Sequence, residues 1–182
     1  MCDFIISTFT FLKEVAPTVS LYSPLIITLI TGFWIHRRLE KYKSKLLIDQ
    51  SVIKHRTEVY FNIKGDLNTI YSYIKRVGNW KELTPDKIID LKREVDREIY
   101  CTKPFWSKEL INQYSKFINT CFETNRGHGK DAAIIGSVVK YNDLPNWDSR
   151  FEDFFTDGFS EDKLDKSYEL LLTSFSKDFG VE

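Results

Sequence analysis

Seven consecutive residues near the middle of the chain, Asn125-Arg126-Gly127-His128-Gly129-Lys130-Asp131, have types and spacing suited to chemistry. Gly127 and Gly129 free the backbone to expose amides, and Arg126, His128 and Lys130 can meet anionic oxygen, which together is the chemistry of phosphate binding. The segment imitates a P-loop without being one. That motif needs a glycine where Thr124 stands, and a Ser or Thr after the lysine, where Asp131 stands. The competing reading makes Gly127 the residue just past a helix end, with the bases complementing the helix carbonyls. Trp106 and Tyr141 offer aromatic surfaces on which a base can stack.

Other chemistry is sparse. The chain has no HExxH, GxSxG, paired CxxC or EF-hand loop, so the expectation is a protein without catalytic residues, metal or cofactor. His128 beside Cys101 and Cys121 has no metal-site spacing, and Cys121 falls on an apolar helical stripe. Cys2, Cys101 and Cys121 are an odd, widely spaced set, which argues against a disulfide framework and for a reducing compartment. Asp86, Asp90, Arg93, Glu94, Arg97 and Glu98 have the spacing of a solvated ion-pair ladder on a helix, not of catalytic carboxylates.

The elements that must position these residues are mostly helical. Thr84 caps and Pro85 opens a helix to about Tyr100, with Ile88, Leu91, Val95 and Ile99 on one face. Ser107 starts a second, with Leu110, Tyr114, Phe117 or Ile118, and Cys121 inward until Asn125. AAIIGSVVKY, residues 132–141, fits a helix or a buried strand, and WDSRFEDFF a short helix. Ser160 caps the last helix, whose stripe is Leu164, Tyr168, Leu171 and Phe175; acids crowd its first turn and Gly180 stops it.

The amino-terminal part reads differently. Val15–Ile35 holds 21 residues without a charge, about the 30 Å of a bilayer's hydrocarbon core when helical. Tyr22 and Trp34 lie near its ends, where amphipathic rings favour the interface. The competing reading is a buried helix of a soluble domain, favoured by the Ser and Thr content and by Pro17 and Pro24, which kink or restart a helix, although prolines are more tolerable in a lipid-facing helix. Arg37, Arg38, Lys41, Lys43 and Lys45 follow, against Glu40 alone, so the charge bias places the carboxyl-terminal part in the cytoplasm. MCDF is no basic leader, so the run is read as a retained anchor, with FIISTFTFL in the outer interface or joined to the span.

From His36 to Val77 a seven-residue frame continues the helix. Leu39, Leu46, Ile53, Tyr60, Leu67 and Ile74 fall at one position and Tyr42, Asp49, Arg56, Ile63, Ile70 and Val77 at the other, so ten of the twelve are apolar. This is the pattern of an oligomerisation stalk, with Asp49 and Arg56 either setting register between subunits or marking where the stripe veers to solvent. The expected fold is therefore mostly α: an N-terminal single-pass transmembrane helix over residues 1–35, then a basic junction, helical stalk and small cytosolic helical domain over residues 36–182.

Charge sharpens the division. Residues 1–45 hold six Lys/Arg against three Asp/Glu, residues 46–142 sixteen against twelve, and residues 143–182 four against eleven. The acidic end excludes a uniform coat for duplex nucleic acid and leaves local anion binding in the middle third. This layout of span, basic junction and small enzyme-less helical domain resembles the membrane effectors of bacterial antiphage defence, in particular the CRISPR-associated type III membrane effector whose soluble domain binds cyclic tetra-adenylate. The resemblance implies an inner-membrane homo-oligomer that binds a cyclic oligoadenylate through its cytosolic part and then disrupts the lipid bilayer. It assigns Arg126, His128 and Lys130 to the phosphates and Asn125 to a base or ribose. The alternative is an anchored adaptor that holds a partner protein without a small ligand; a membrane-tethered enzyme of unrecognised type is the remaining rival.

Overall fold

The computed structural model describes residues 2–124, 126–142, 144 and 146–181, with side chains described from residue 28 onward. The chain divides into two compact units, Met1–Gln50 and Ser51–Glu182, a boundary later than the Ile35–His36 junction read from the charge pattern. Helix α1, Cys2–Lys75, is continuous through that boundary.

Within the first unit every residue from 28 to 50 is exposed. Neighbours one turn apart support the helix locally: the Arg37 guanidinium lies 5.2 Å from the Phe33 ring centroid and that of Arg38 5.3 Å from Trp34. The expected single-pass transmembrane helix is corrected here. Among the described residues no helix is long and apolar enough to cross a membrane. Of the charge-free run, only Thr28–Ile35 has described side chains, about 12 Å of helix against a hydrocarbon core of roughly 30 Å. The remainder of the expected span, residues 15–27, and FIISTFTFL before it lie outside the residues whose side chains are described.

The second unit gathers the rest of α1 with α2 (Pro85–Cys101), α3 (Lys108–Cys121) and α4 (Glu161–Asp178). The apolar stripes expected on the three shorter helices are buried, Ile88, Val95 and Ile99 on α2, Leu110, Tyr114 and Phe117 on α3, and Leu164, Leu171 and Phe175 on α4. The Ser107 hydroxyl caps α3 by accepting from the Leu110 N–H at 3.1 Å. Thr84 and Ser160 stand at the cap positions of α2 and α4 without such a bond.

The heptad stripe has another destination from the one expected. Ile63, Leu67, Ile70 and Ile74 are buried in this unit's own core, so this half of the stripe faces its own chain and not partner helices. Arg56 is engaged by its own chain as well. Its guanidinium donates to the carbonyls of Phe105 and Asp178, placing a cation on the carbonyl end of α4, while the Asp178 carboxylate accepts from the Ser107 N–H at 2.8 Å.

A small sheet completes the unit: β1 (Phe122–Glu123), β2 (Ala133–Ile135) and β3 (Phe155–Thr156), in that order. β1 and β2 are antiparallel; β2 and β3 are parallel, pairing Ile134 with Phe155 and Ile135 with Thr156. The ambiguous AAIIGSVVKY segment is thus a strand followed by a 3-10 turn at Val138–Lys140, and the short helix read in WDSRFEDFF is a 3-10 turn at Ser149–Phe154.

Candidate functional site

The glycine-rich segment connects β1 to β2. Helix α3 ends at Cys121, earlier than the Asn125 expected, because Phe122 turns extended (φ −138°, ψ 139°) to begin β1. Gly127 is therefore not a helix-end residue. Gly127 (φ 103°) and Gly129 (φ 77°) both occupy the left-handed region, and a turn closes between them through Lys130 N–H to Gly127 C=O at 3.3 Å. The four expected ligand residues fare differently. Arg126 is committed to structure, donating to the Asp153 carbonyl at 2.7 Å, and neighbouring Asp131 accepts from Arg93 on α2. His128 and Lys130 are exposed and have no side-chain partner among the described residues. Asn125 lies outside the described residues.

A second constellation, unforeseen in the sequence, forms at the carboxyl ends of the parallel strands. β2 leads into Gly136-Ser137 and β3 into Asp157-Gly158, and these border a cavity of about 240 Å³. Arg76, from the end of α1, and Lys140 also line it. One wall is Tyr141, 2% exposed, which stacks on Tyr73 at 5.2 Å and donates its hydroxyl to the Tyr73 carbonyl at 3.3 Å. Burial pushes the Tyr141 hydroxyl pKa up to about 12, with Arg76 pulling the other way, so it stays a neutral donor. The Gly136 N–H donates to the Thr156 carbonyl at 2.8 Å, which holds the two strand ends together.

Arg76 is held in an unusual backbone state. Its φ of 61° makes it the one non-glycine residue with positive φ among those described. The cause is the end of α1: Arg76 N–H donates to Tyr73 C=O (3.1 Å) and Val77 N–H to Ser72 C=O (2.9 Å), the pair of bonds that closes a Schellman motif. That motif favours glycine where Arg76 stands. The half-buried guanidinium lies 6.0 Å from the Phe159 ring centroid. Its neighbour Lys75 is committed elsewhere, with its ammonium 2.7 Å from both Asp165 oxygens; Lys75, helped by the Tyr71 hydroxyl at 2.8 Å, holds that carboxyl below its usual range.

The exposed stretch of α1 is the third functional surface. Leu29, Ile30, Phe33, Trp34, Ile35 and Leu39 lead into Tyr42, Leu46, Leu47 and Ile48, all exposed, with Trp34 at 63%. On a helix, Ile35, Leu39, Tyr42 and Leu46 share one stripe, and Arg38 and Lys45 flank it on one side and Lys43 on the other. Among the described residues no group of His, Cys, Asp and Glu is arranged to hold a metal ion. No protein-family model matches the chain, and neither a curated protein nor a solved structure is similar to it.

Proposed function

We propose that the protein acts at an anionic membrane surface, as an effector of the type its layout resembles, and docks through residues 28–48 of α1 without crossing the bilayer. The observation that carries this reading is the exposed apolar stripe of Ile35, Leu39, Tyr42 and Leu46, flanked by Arg38 and Lys45 on one side and Lys43 on the other. An apolar stripe with basic flanks is what a surface-lying helix presents to headgroups and upper acyl chains. A parallel second copy suits the stripe less well. Self-pairing along Ile35, Leu39, Tyr42 and Leu46 sets Arg38 against Lys43 of the other copy, and like charges there oppose association. Anionic lipid answers the same charges favourably.

Each base near an anionic surface contributes about 1 kcal/mol, so reversing Arg38, Lys43 and Lys45 together to Glu weakens binding by at least about 100-fold. The test is co-sedimentation of the full chain with phosphatidylglycerol vesicles and with phosphatidylcholine vesicles. Expected is capture by the first, reduced by salt and abolished in the triple variant. Equal partition into both vesicle types, or into neither, refutes the reading.

The signal expected for such an effector is a cyclic oligoadenylate, and the available bases for its phosphates are His128 and Lys130. Lys130→Glu is the informative variant, because Arg126 already serves the fold. Binding of cyclic tetra-adenylate to the wild type that Lys130→Glu abolishes supports this part; vesicle binding with indifference to the nucleotide points to the adaptor instead.

A further inference from the structure

The cleft between the ends of β2 and β3 has the chemistry of a small-anion site, and it is separate from the glycine-rich connection. Among the described residues, neither the Arg76 guanidinium nor the Lys140 ammonium has a carboxylate within ion-pair distance, although ion pairs are frequent elsewhere in this unit, as at Lys75–Asp165 and Lys92–Asp96. Among the described residues the Ser137 hydroxyl neither caps the turn that follows it nor donates elsewhere. Ligands of α/β sheets gather at the carboxyl ends of parallel strands, which is where this cavity lies. Arg76 adds an independent sign. A position that favours glycine carries instead a half-buried arginine whose side chain lines the cavity, a local strain of the kind that collects at binding sites.

The cavity's size and its single carboxylate narrow the ligand. About 240 Å³ is below the roughly 300–1,000 Å³ of sites for drug-sized molecules, so a whole nucleotide ring does not fit. Asp157, exposed at the rim, leaves the lining with two cations against one anion. A carboxylate there accepts a hydroxyl, while a guanidinium and an ammonium favour phosphate oxygens. We propose that this cleft binds the phosphate monoester of a small polyol, with Arg76, Lys140 and Ser137 donating to the phosphate and Asp157 accepting from a neighbouring hydroxyl.

The experiment is calorimetric titration of the full chain with inorganic phosphate and with glycerol 3-phosphate. Expected are saturable binding of both and tighter binding of the ester. Lys140→Ala, an exposed position where the fold is not at risk, weakens both by at least about tenfold, the worth of one charge-assisted hydrogen bond. Asp157→Ala removes the preference for the ester while phosphate binds at least as well. The Arg38, Lys43 and Lys45 reversal on α1 serves as control and leaves both affinities unchanged. Absence of saturable binding to the wild type up to millimolar ligand overturns the proposal. So do wild-type affinity in Lys140→Ala, an unaltered ester preference in Asp157→Ala, and loss of binding in the α1 variant.

Discussion

Replacing Arg76 by glycine and by alanine separates the backbone from the side chain at the most constrained non-glycine position described. The two Schellman bonds, at 3.1 and 2.9 Å, come from backbone groups and survive either change. What differs is the left-handed conformation at φ 61°, which costs an L-residue about 1–2 kcal/mol and glycine nothing. Glycine loses about 0.5–1 kcal/mol of that advantage through the greater freedom of its unfolded chain. Both variants lose the guanidinium over Phe159, worth about 0.5 kcal/mol, and a favourable charge at a helix carboxyl end, worth a similar amount. Arg76→Gly is therefore expected within about 0.5 kcal/mol of wild type, and Arg76→Ala about 1 kcal/mol below Arg76→Gly, or roughly 3–4 °C in Tm for a unit of this size. Urea unfolding of the full chain followed by circular dichroism is the assay, with m unchanged across the set. Within helices alanine is favoured over glycine by about 1 kcal/mol, so the sign should be reversed here. Alanine equal to or more stable than glycine refutes the strain assignment.

Two buried tyrosines should respond oppositely to loss of their hydroxyls. Tyr114 donates to Asp96 at 2.6 Å, beside the Lys92 ammonium on the other carboxylate oxygen, so Tyr114→Phe should lower unfolding stability by about 2 kcal/mol. The Tyr73 hydroxyl is buried with no partner among the described residues, so Tyr73→Phe should be neutral or stabilising by up to about 1 kcal/mol in the same urea assay. Lys75 depresses the Asp165 carboxyl, so this pair stabilises the fold above the ordinary aspartate range and stops doing so as pH falls through the lowered value. Urea midpoints of wild type and Asp165→Asn should accordingly differ at neutral pH, begin to approach as pH falls past about 4 and converge only below the lowered Asp165 value; a constant difference would contradict the linkage. Cys101 is exposed and Cys121 buried, with burial raising the Cys121 thiol, so in a Cys2→Ser background maleimide should modify Cys101 in the native protein and Cys121 only after denaturation.

The legible part of the fold was that governed by local periodicity and caps. Ile88, Val95 and Ile99 recur at helical spacing, and the chain buries them as that spacing requires. Ser107 is followed by a helix because its hydroxyl can satisfy Leu110 N–H whatever the rest of the chain does. Periodicity says that a face will be covered, however, and not by what. Leu39 and Leu67 occupy equivalent places in one frame, yet Leu39 is 51% exposed and Leu67 1%. The difference is set by α2, α3 and α4, which return to the carboxyl-terminal part of α1 and displace the partner helices that the stripe alone suggests. The short strands were ambiguous for a related reason: Ala133, Ile134 and Ile135 form an apolar run too short to show a period.

Phosphate chemistry is legible in sequence where glycines and bases are neighbours, as at residues 125–131. Contiguity also makes such a segment prone to serve its own loop, as Arg126 and Asp131 do in bonding Asp153 and Arg93. The cleft's cations come from positions 76 and 140, and are brought together only when Ile134 pairs with Phe155 and Ile135 with Thr156, a parallel register that no local pattern encodes. One clue was nevertheless local. After Ile74 the apolar frame ends, and a helix that ends normally places glycine just beyond; here the glycine comes two residues late, at Gly78, and arginine takes the left-handed position. A helix terminator in the wrong place, next to a base, sets a guanidinium at the cleft against the backbone preference of its position, and the anion site proposed there rests on Arg76 first.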